Sequence, residues 1–244
     1  MNGNVNAFNT NVPLASGNAS GNSTGDFTAV STGVSYINSE FSTNARIEVR
    51  NSATDDKVNL VLGAARALKN GESMAAGLIY NDTSSTSGST SGKFDARLSY
   101  ALRPLLSSWI MLDRLDLINE KLNDTVTTSR TLKLVNNLNL NYLPNRRTQL
   151  SLRYGSKFVL DAIDNTDYRG YTDLTAAELR YDLTRNCDIG VHVSVLNSWS
   201  SNVHLIGAGA SAGYRIMDNS WLSVGYNFMG FNDKDFGTAE YRAK

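Results

Sequence analysis

Cysteine is almost missing from this chain. Cys187 is the single member, so neither an intrachain disulfide nor a thiolate metal cluster can form. Histidine is nearly as scarce: His192 and His204 lie on neighbouring expected strands, and without carboxylates beside them they make no metal site. Charge of one sign is also lacking, since 23 basic side chains balance 23 acidic ones for a net +0. That excludes an electrostatic footprint for nucleic acid. No run approaches the roughly 18 to 20 apolar residues of a membrane-spanning helix. The start, Met1-Asn2-Gly3-Asn4, has neither the basic residues nor the apolar run of a secretory leader. The expectation from that start is a mature fragment or the end of a longer polypeptide. Apolar residues make up 41% of the chain and mean hydropathy is -0.29, thin and even for a thick core, which fits either a membrane barrel or a polar β-solenoid and leaves the choice to the alternation.

Chemistry-bearing constellations are equally sparse. Serine is abundant, but no Gly-x-Ser-x-Gly elbow is expected and neither histidine has a convincing serine partner. Asp161, Asp164 and Asp167 flank Asn165 without the regular spacing or closing glutamate of a calcium loop, so a solvated polar loop is expected there. Near the end, Lys234 blunts any cation site formed by Asn232, Asp233 and Asp235. Glycines sit in alternating stretches rather than at a strand-to-helix junction, which excludes a phosphate loop. No catalytic residue, metal or cofactor is expected.

What is present is alternation. Leu132, Leu134, Leu138, Leu140 and Tyr142 share one face at period two, while Lys133, Asn137, Asn139 and Asn141 share the other. Val135 and Asn136 break the pattern and suggest a local irregularity. Leu222, Val224 and Tyr226 repeat the apolar row near the end of the chain. A complementary polar set comprises Arg46, Glu48, Arg50, Lys57, Asp95, Arg97, Lys133, Arg153, Glu178, Arg180 and Asp182. An arginine facing lipid at midplane costs ~2 to 4 kcal/mol, so these charges are expected to face a wet lumen and the leucine rows to face lipid. The Arg46/Glu48/Arg50 and Glu178/Arg180/Asp182 runs are expected to compensate one another. Trp109, Trp199 and Trp221 fall near strand ends, where aromatic girdles form, and Gly207, Gly209, Gly213 and Gly225 are expected to relieve crowding.

About a dozen strands follow from the pattern, beginning with Phe27 to Ile37 and ending with Trp221 to Phe228. Their connections are expected to alternate between tight turns and long loops, the latter at Asn81 to Gly92, Glu120 to Thr127 and Asp164 to Tyr171. Short turns at one rim and long loops at the other mark an outer-membrane barrel. The fold expected is therefore all-β, an antiparallel up-and-down transmembrane barrel of about 12 to 14 strands. Residues 1–25 form a polar N-terminal segment with a candidate first strand at Val5 to Asn11 and a loop, and 26–244 form the barrel. That barrel lacks an obvious closing strand, expected to be deleted, disordered or supplied by another chain, since open edges are not tolerated in lipid.

Three segments carry a family resemblance: Leu134 to Asp161 (LVNNLNLNYLPNRRTQLSLRYGSKFVLD), Gly170 to Leu183 (GYTDLTAAELRYDL) and Asn219 to Asp233 (NSWLSVGYNFMGFND). They resemble the C-terminal barrel region of large bacterial envelope proteins that carry tandem repeat domains ahead of the barrel. The resemblance implies a place in the outer membrane of a Gram-negative bacterium and a role in anchoring or exporting an attached envelope assembly. Its partners would be outer-membrane lipid and an envelope protein. It transfers no catalytic set. The alternative reading, from the charged lumen, is a porin-like channel for passive diffusion of small solutes.

Overall fold

The computed structural model describes residues 27–230, apart from residues 105, 106, 165 and 219. The candidate strand Val5 to Asn11 and the acidic group around Lys234 lie outside the described residues. Twelve strands follow one another: β1 (Phe27–Ile37), β2 (Phe41–Ser52), β3 (Asp55–Ala67), β4 (Glu72–Ser85), β5 (Thr90–Leu102) and β6 (Trp109–Asn123). Then come β7 (Thr128–Asn145), β8 (Thr148–Ile163), β9 (Thr166–Asp182), β10 (Cys187–Ser198), β11 (Val203–Met217) and β12 (Ser220–Met229). They form one sheet whose order is the chain order, an all-β up-and-down meander. Among the described residues there is no α-helix, and none long and apolar enough to cross a membrane, which says nothing of crossing by strands. Most strands exceed the ~9 to 11 residues that a tilted transmembrane strand needs.

Two compact units divide the chain. The first comprises Met1–Tyr100, Leu115–Leu134 and Val159–Arg169, and the second Ala101–Arg114, Val135–Phe158 and Gly170–Lys244. In the first, β1 to β4 pair without a register shift, so Val30, Val49 and Val58 fall in one row and Ala29, Arg50 and Lys57 in the next. In the second, β9 to β11 pair with equal regularity, lining up Leu179 with Val191 and Ala210, and Glu178 with His192 and Gly209. Antiparallel pairing passes the face of each residue to its partner, so an apolar row stays apolar across the ladder.

Side chains close the turns. Asn38 Oδ1 accepts the N–H groups of Glu40 at 2.9 Å and Phe41 at 2.7 Å. Asn145 Oδ1 does the same for Arg147 and Thr148, both at 2.9 Å. Thr184 Oγ1 accepts from Asn186 and Cys187. These short polar side chains imitate a backbone acceptor and hold the hairpins in register. Asn70 (φ 63°) and Gly71 (φ 79°) supply the left-handed backbone that joins β3 to β4.

The expected contrast between short and long connections is absent. Strand takes up half or more of each of the three stretches assigned to long loops: β4 runs on to Ser85, β6 to Asn123, and β9 begins at Thr166. What remains between β4 and β5 is residues 86–89, and between β8 and β9, among the described residues, Asp164. Polar residues continue the ladder there because backbone pairing, rather than apolar burial, holds a strand that projects beyond the apolar rows. The expected irregularity at Val135 and Asn136 is also absent, since β7 is unbroken through both.

Crowding fixes two glycines of β11. A Cβ on Gly213 would collide with the Asp188 carboxylate and the Trp221 indole, and one on Gly209 with the His192 ring and Asn227. Gly225 is different, its nearest neighbour being Ser211 Cβ at an ordinary 3.7 Å. Gly213→Leu should therefore lower stability by about 1–3 kcal/mol through overpacking, while Gly225→Ala should stay within ~0.5 kcal/mol. Denaturant unfolding of the purified variants measures both, and equal effects at the two positions would contradict the crowding account.

Candidate functional site

Polarity and burial run opposite to the pattern of a soluble protein. Along β2, Glu48 and Arg50 are each 7% exposed, whereas Val49 between them is 47% exposed. Lys57, Asp116 and Asp188 are buried too, while Val191, Val193, Leu222, Val224 and Tyr226 stand open. The sheet thus hides many of its charges under neighbouring side chains and displays its aliphatic rows.

In the first unit the buried charges are paired. Arg46 lies 3.7 Å from Glu48. Arg50 turns away from that pair toward Asp55 at 3.5 Å and rests over the Phe27 ring, 4.3 Å from its centroid. Lys57 reaches the same Asp55 at 2.9 Å. Arg97 is held by Asp116 at 2.6 Å and by Asp95 at 3.8 Å, and Lys93 by Glu120 at 2.7 Å. In the second unit Arg180 lies 3.6 Å from Asp188 and 4.0 Å from Glu178, and Arg153 donates to Asn139 at 3.2 Å. Lys133 is half-buried on the face it shares with Val135.

Two expected ladders are therefore re-partnered. Arg50 pairs across the β2–β3 turn rather than with Glu48, and Arg180 pairs across to β10 rather than with Asp182. Asp182 instead stands opposite Asp188 in the register. Sequence reasoning missed Asp55, Asp116 and Asp188 as partners. A signal was available for Asp55, which shares the parity of Lys57 on β3; β6 and β10, which carry Asp116 and Asp188, contributed no member to the expected charged set. Asp55 escaped because it adjoins a turn.

Asp55 stands at the rim, beyond the apolar row that starts at Val58. The Ser52 hydroxyl, donating at 2.7 Å, holds its carboxyl below the ordinary carboxylate range, with Lys57 adding to the effect.

Apolar rows carry their own polar exceptions. Asn136 Nδ2 donates to Asp113 Oδ1 at 2.8 Å, which silences two polar groups on the leucine face of β7 and β6. Asp173, buried on the face of Leu179 and Tyr181, accepts the Trp199 indole N–H and the Asn197 amide, the latter at 2.9 Å. His204 Nδ1 meets Asn197 Oδ1 at 3.0 Å, and Trp199 lies edge-on to the His204 ring. Tyr154 and Tyr171 hydroxyls meet at 3.4 Å nearby. Toward the other ends of β6 and β7, Trp109 stacks on Tyr142 at 4.4 Å. Leu132, Leu134, Leu138 and Leu140 complete the apolar row of β7. An open groove of about 580 Å³ on the apolar face of the first unit is floored by Ala45, Ala64 and Ala76 and walled by Leu62, Leu78 and Leu98, a lining that suits an apolar neighbour.

His192 faces Gly209 while His204 faces Asn197, which puts the two imidazoles on opposite faces of the sheet. Asp164 uses its carboxylate to accept the Thr128 N–H at 2.8 Å, tying the end of β8 to the start of β7. One motif escaped the sequence reading: Gly209-Ala210-Ser211-Ala212-Gly213 has Gly-x-Ser-x-Gly spacing. It lies inside β11, not at a strand-to-helix turn, with Ser211 opposite Gly190 and Gly225. Glu178, His192 and Ser211 share a face, yet among the described residues no hydrogen bond joins them. The nucleophile–base contact that activates a serine is not made among these three side chains.

No family model and no curated protein matches the chain. Among solved structures it is similar to the crystal structure of BamA from Haemophilus ducreyi lacking POTRA domains 1-3, with 10% identity, a TM-score of 0.28, and coverage of 87% of this chain and 68% of that one.

The lowered value at Asp55 has a definite sign. Its contribution to stability is full above the ordinary aspartate value of about 3.9 and fades as pH falls through the depressed one. Carboxyl NMR titration should show Asp55 rising toward the ordinary value in Ser52→Ala, and an unchanged titration there would remove the hydroxyl as chief cause.

Proposed function

We propose that this chain is a transmembrane β-barrel of a bacterial outer membrane that anchors, or helps to export, an attached envelope assembly. The observation that carries the membrane part is the inverted sheet: buried, paired charges on one face and open aliphatic rows on the other. In water that arrangement wastes the apolar surface; in a bilayer each face meets a solvent that suits it. On this reading Leu132, Leu134, Leu138, Leu140, Tyr142, Leu222, Val224 and Tyr226 face lipid. Arg46, Glu48, Arg50, Lys57, Asp95, Arg97, Lys133, Arg153, Glu178, Arg180 and Asp182 face a water-filled interior.

Aromatic placement supports the same reading. Trp109 with Tyr142, and Trp199, lie toward strand ends, where rings rest at the boundary of hydrocarbon and water. Hydrocarbon also demands that the free edges of β1 and β12 be paired in the membrane, by the chain itself or by a strand from a partner. The anchoring or export role rests on the resemblance of the β7–β8, β9 and β12 segments to barrel regions of repeat-bearing envelope proteins. A porin-like channel is the second reading, favoured by the run of ion pairs along the polar face.

Tryptophan scanning with brominated lipid tests the membrane reading directly. In the full chain reconstituted into vesicles, a tryptophan at Leu138 or Leu140 should be quenched by bromine on the acyl chains, and one at Asn139 or Asn141 spared. Equal quenching at both parities, or a chain that stays in solution without detergent as a monomer, would sink the proposal.

A further inference from the structure

We infer that Arg103, Arg146 and Arg185, one on each of three turns of the second unit, form a cationic row that takes the phosphate groups of anionic phospholipid. This deepens the membrane reading above and rests on it. Arg103 directly follows β5, Arg146 lies between β7 and β8, and Arg185 between β9 and β10. An up-and-down meander turns at the same end after every second strand, so the three belong to one rim. Neighbouring hairpins are tied together there: the Leu143 N–H donates to the Ser108 carbonyl and the Asp182 N–H to the Arg147 carbonyl, both at 2.8 Å. Two strand spacings, about 9–10 Å, separate successive turns, so each guanidinium can hold a phosphate of its own.

Charge at these turns is not answered from within the chain. All three arginines are exposed, and among the described residues none makes an ion pair. The carboxylates of this rim are engaged elsewhere: Asp188 faces Arg180 at 3.6 Å, and Asp218 holds Arg215 at 2.7 Å. Asp182 lies beside Arg147, to whose carbonyl its N–H donates. At the opposite end of the unit the β10–β11 connection, Trp199-Ser200-Ser201-Asn202, carries no charge. What borders the row identifies its partner. Tyr181, Leu183, Ile189, Tyr214 and Ile216 are each at least 40% exposed, so open apolar side chains run up to the turns. Trp109, Tyr142, Tyr181 and Tyr214 all stand within three residues of a strand end at this rim. The succession from aliphatic to aromatic to arginine follows a bilayer from hydrocarbon through the interface to the head groups. An acidic protein would need the arginines alone; the apolar and aromatic border fits a lipid surface.

Quenching by lipid class tests this with the full chain carrying Trp199→Phe and Trp221→Phe, which leaves Trp109 as the reporter beside the row. The protein is reconstituted into vesicles of equal parts phosphatidylglycerol and phosphatidylcholine, with bromine on the acyl chains of one lipid or the other. Brominated phosphatidylglycerol should quench more strongly, with a relative affinity about fivefold or more above phosphatidylcholine. Arg103→Gln/Arg146→Gln/Arg185→Gln should bring the two lipids level. Screening the intact row with about 1 M potassium chloride should level them as well, which serves if the triple variant fails to insert. Equal quenching by both lipids at low salt would overturn the inference, as would a preference that the triple variant keeps. Equal quenching together with binding of polyglutamate to the chain in phosphatidylcholine vesicles would assign the row to an acidic protein instead. Absence of quenching by either lipid removes the membrane reading and the row's role with it, whereas equal quenching removes the lipid preference alone.

Discussion

The structure depends on one constraint: a strand sends successive side chains to opposite faces, and antiparallel pairing hands each face on to the next strand. From β1 to β4 and from β9 to β11 that inheritance runs without a register slip. A slip of one residue in any strand would place its charges among leucines and its leucines among charges. Every ion pair on the polar face is a consequence of this regularity. Each cross-strand pair contributes only about 0.2–1 kcal/mol, so the face is stabilised by many modest contacts and not by one strong centre.

Burying charge is ordinarily unfavourable, and the way this sheet does so is informative. Glu48, Arg50, Lys57, Asp116 and Asp188 are shielded mainly by other side chains of their own face, and those side chains supply opposite charge. Residues of the apolar rows receive no such cover; Ile189, Val191 and Val193 of β10 and Val224, Tyr226 and Phe228 of β12 remain open. The few polar groups on the apolar face are tied to one another, as in Asn136 with Asp113 and Asp173 with Asn197 and Trp199. Pairing them removes the desolvation penalty that an isolated amide or carboxylate would carry in hydrocarbon. Both devices serve a sheet with two different solvents.

Strand positions were legible in the residues because alternation is local. Phe27–Ile37 is read at both ends as it stands, and most other strands differ by a few residues. Loop lengths were not legible. Asn81 to Gly92 is rich in Ser, Thr and Gly, which reads as loop, yet β4 and β5 continue into it because paired backbone groups need no apolar side chain. Val135 reads as an interruption in β7 for a similar reason: its partners, Leu174 and Leu196, lie far along the chain.

By itself the sequence determined that the chain is all-β and which residues share a face, since period two depends on nothing beyond the strand. It also settled the near balance of charge. Only the tertiary structure decided which charge answers which. Arg50 turning to Asp55, and Arg180 to Asp188, depend on register and on the reach of a side chain across a ladder. The gathering of Val135, Leu174 and Leu196 on the polar side likewise required four strands, β7 to β10, to be laid side by side. Contacts between residues distant along the chain arise from pairing geometry, and no local pattern encodes them.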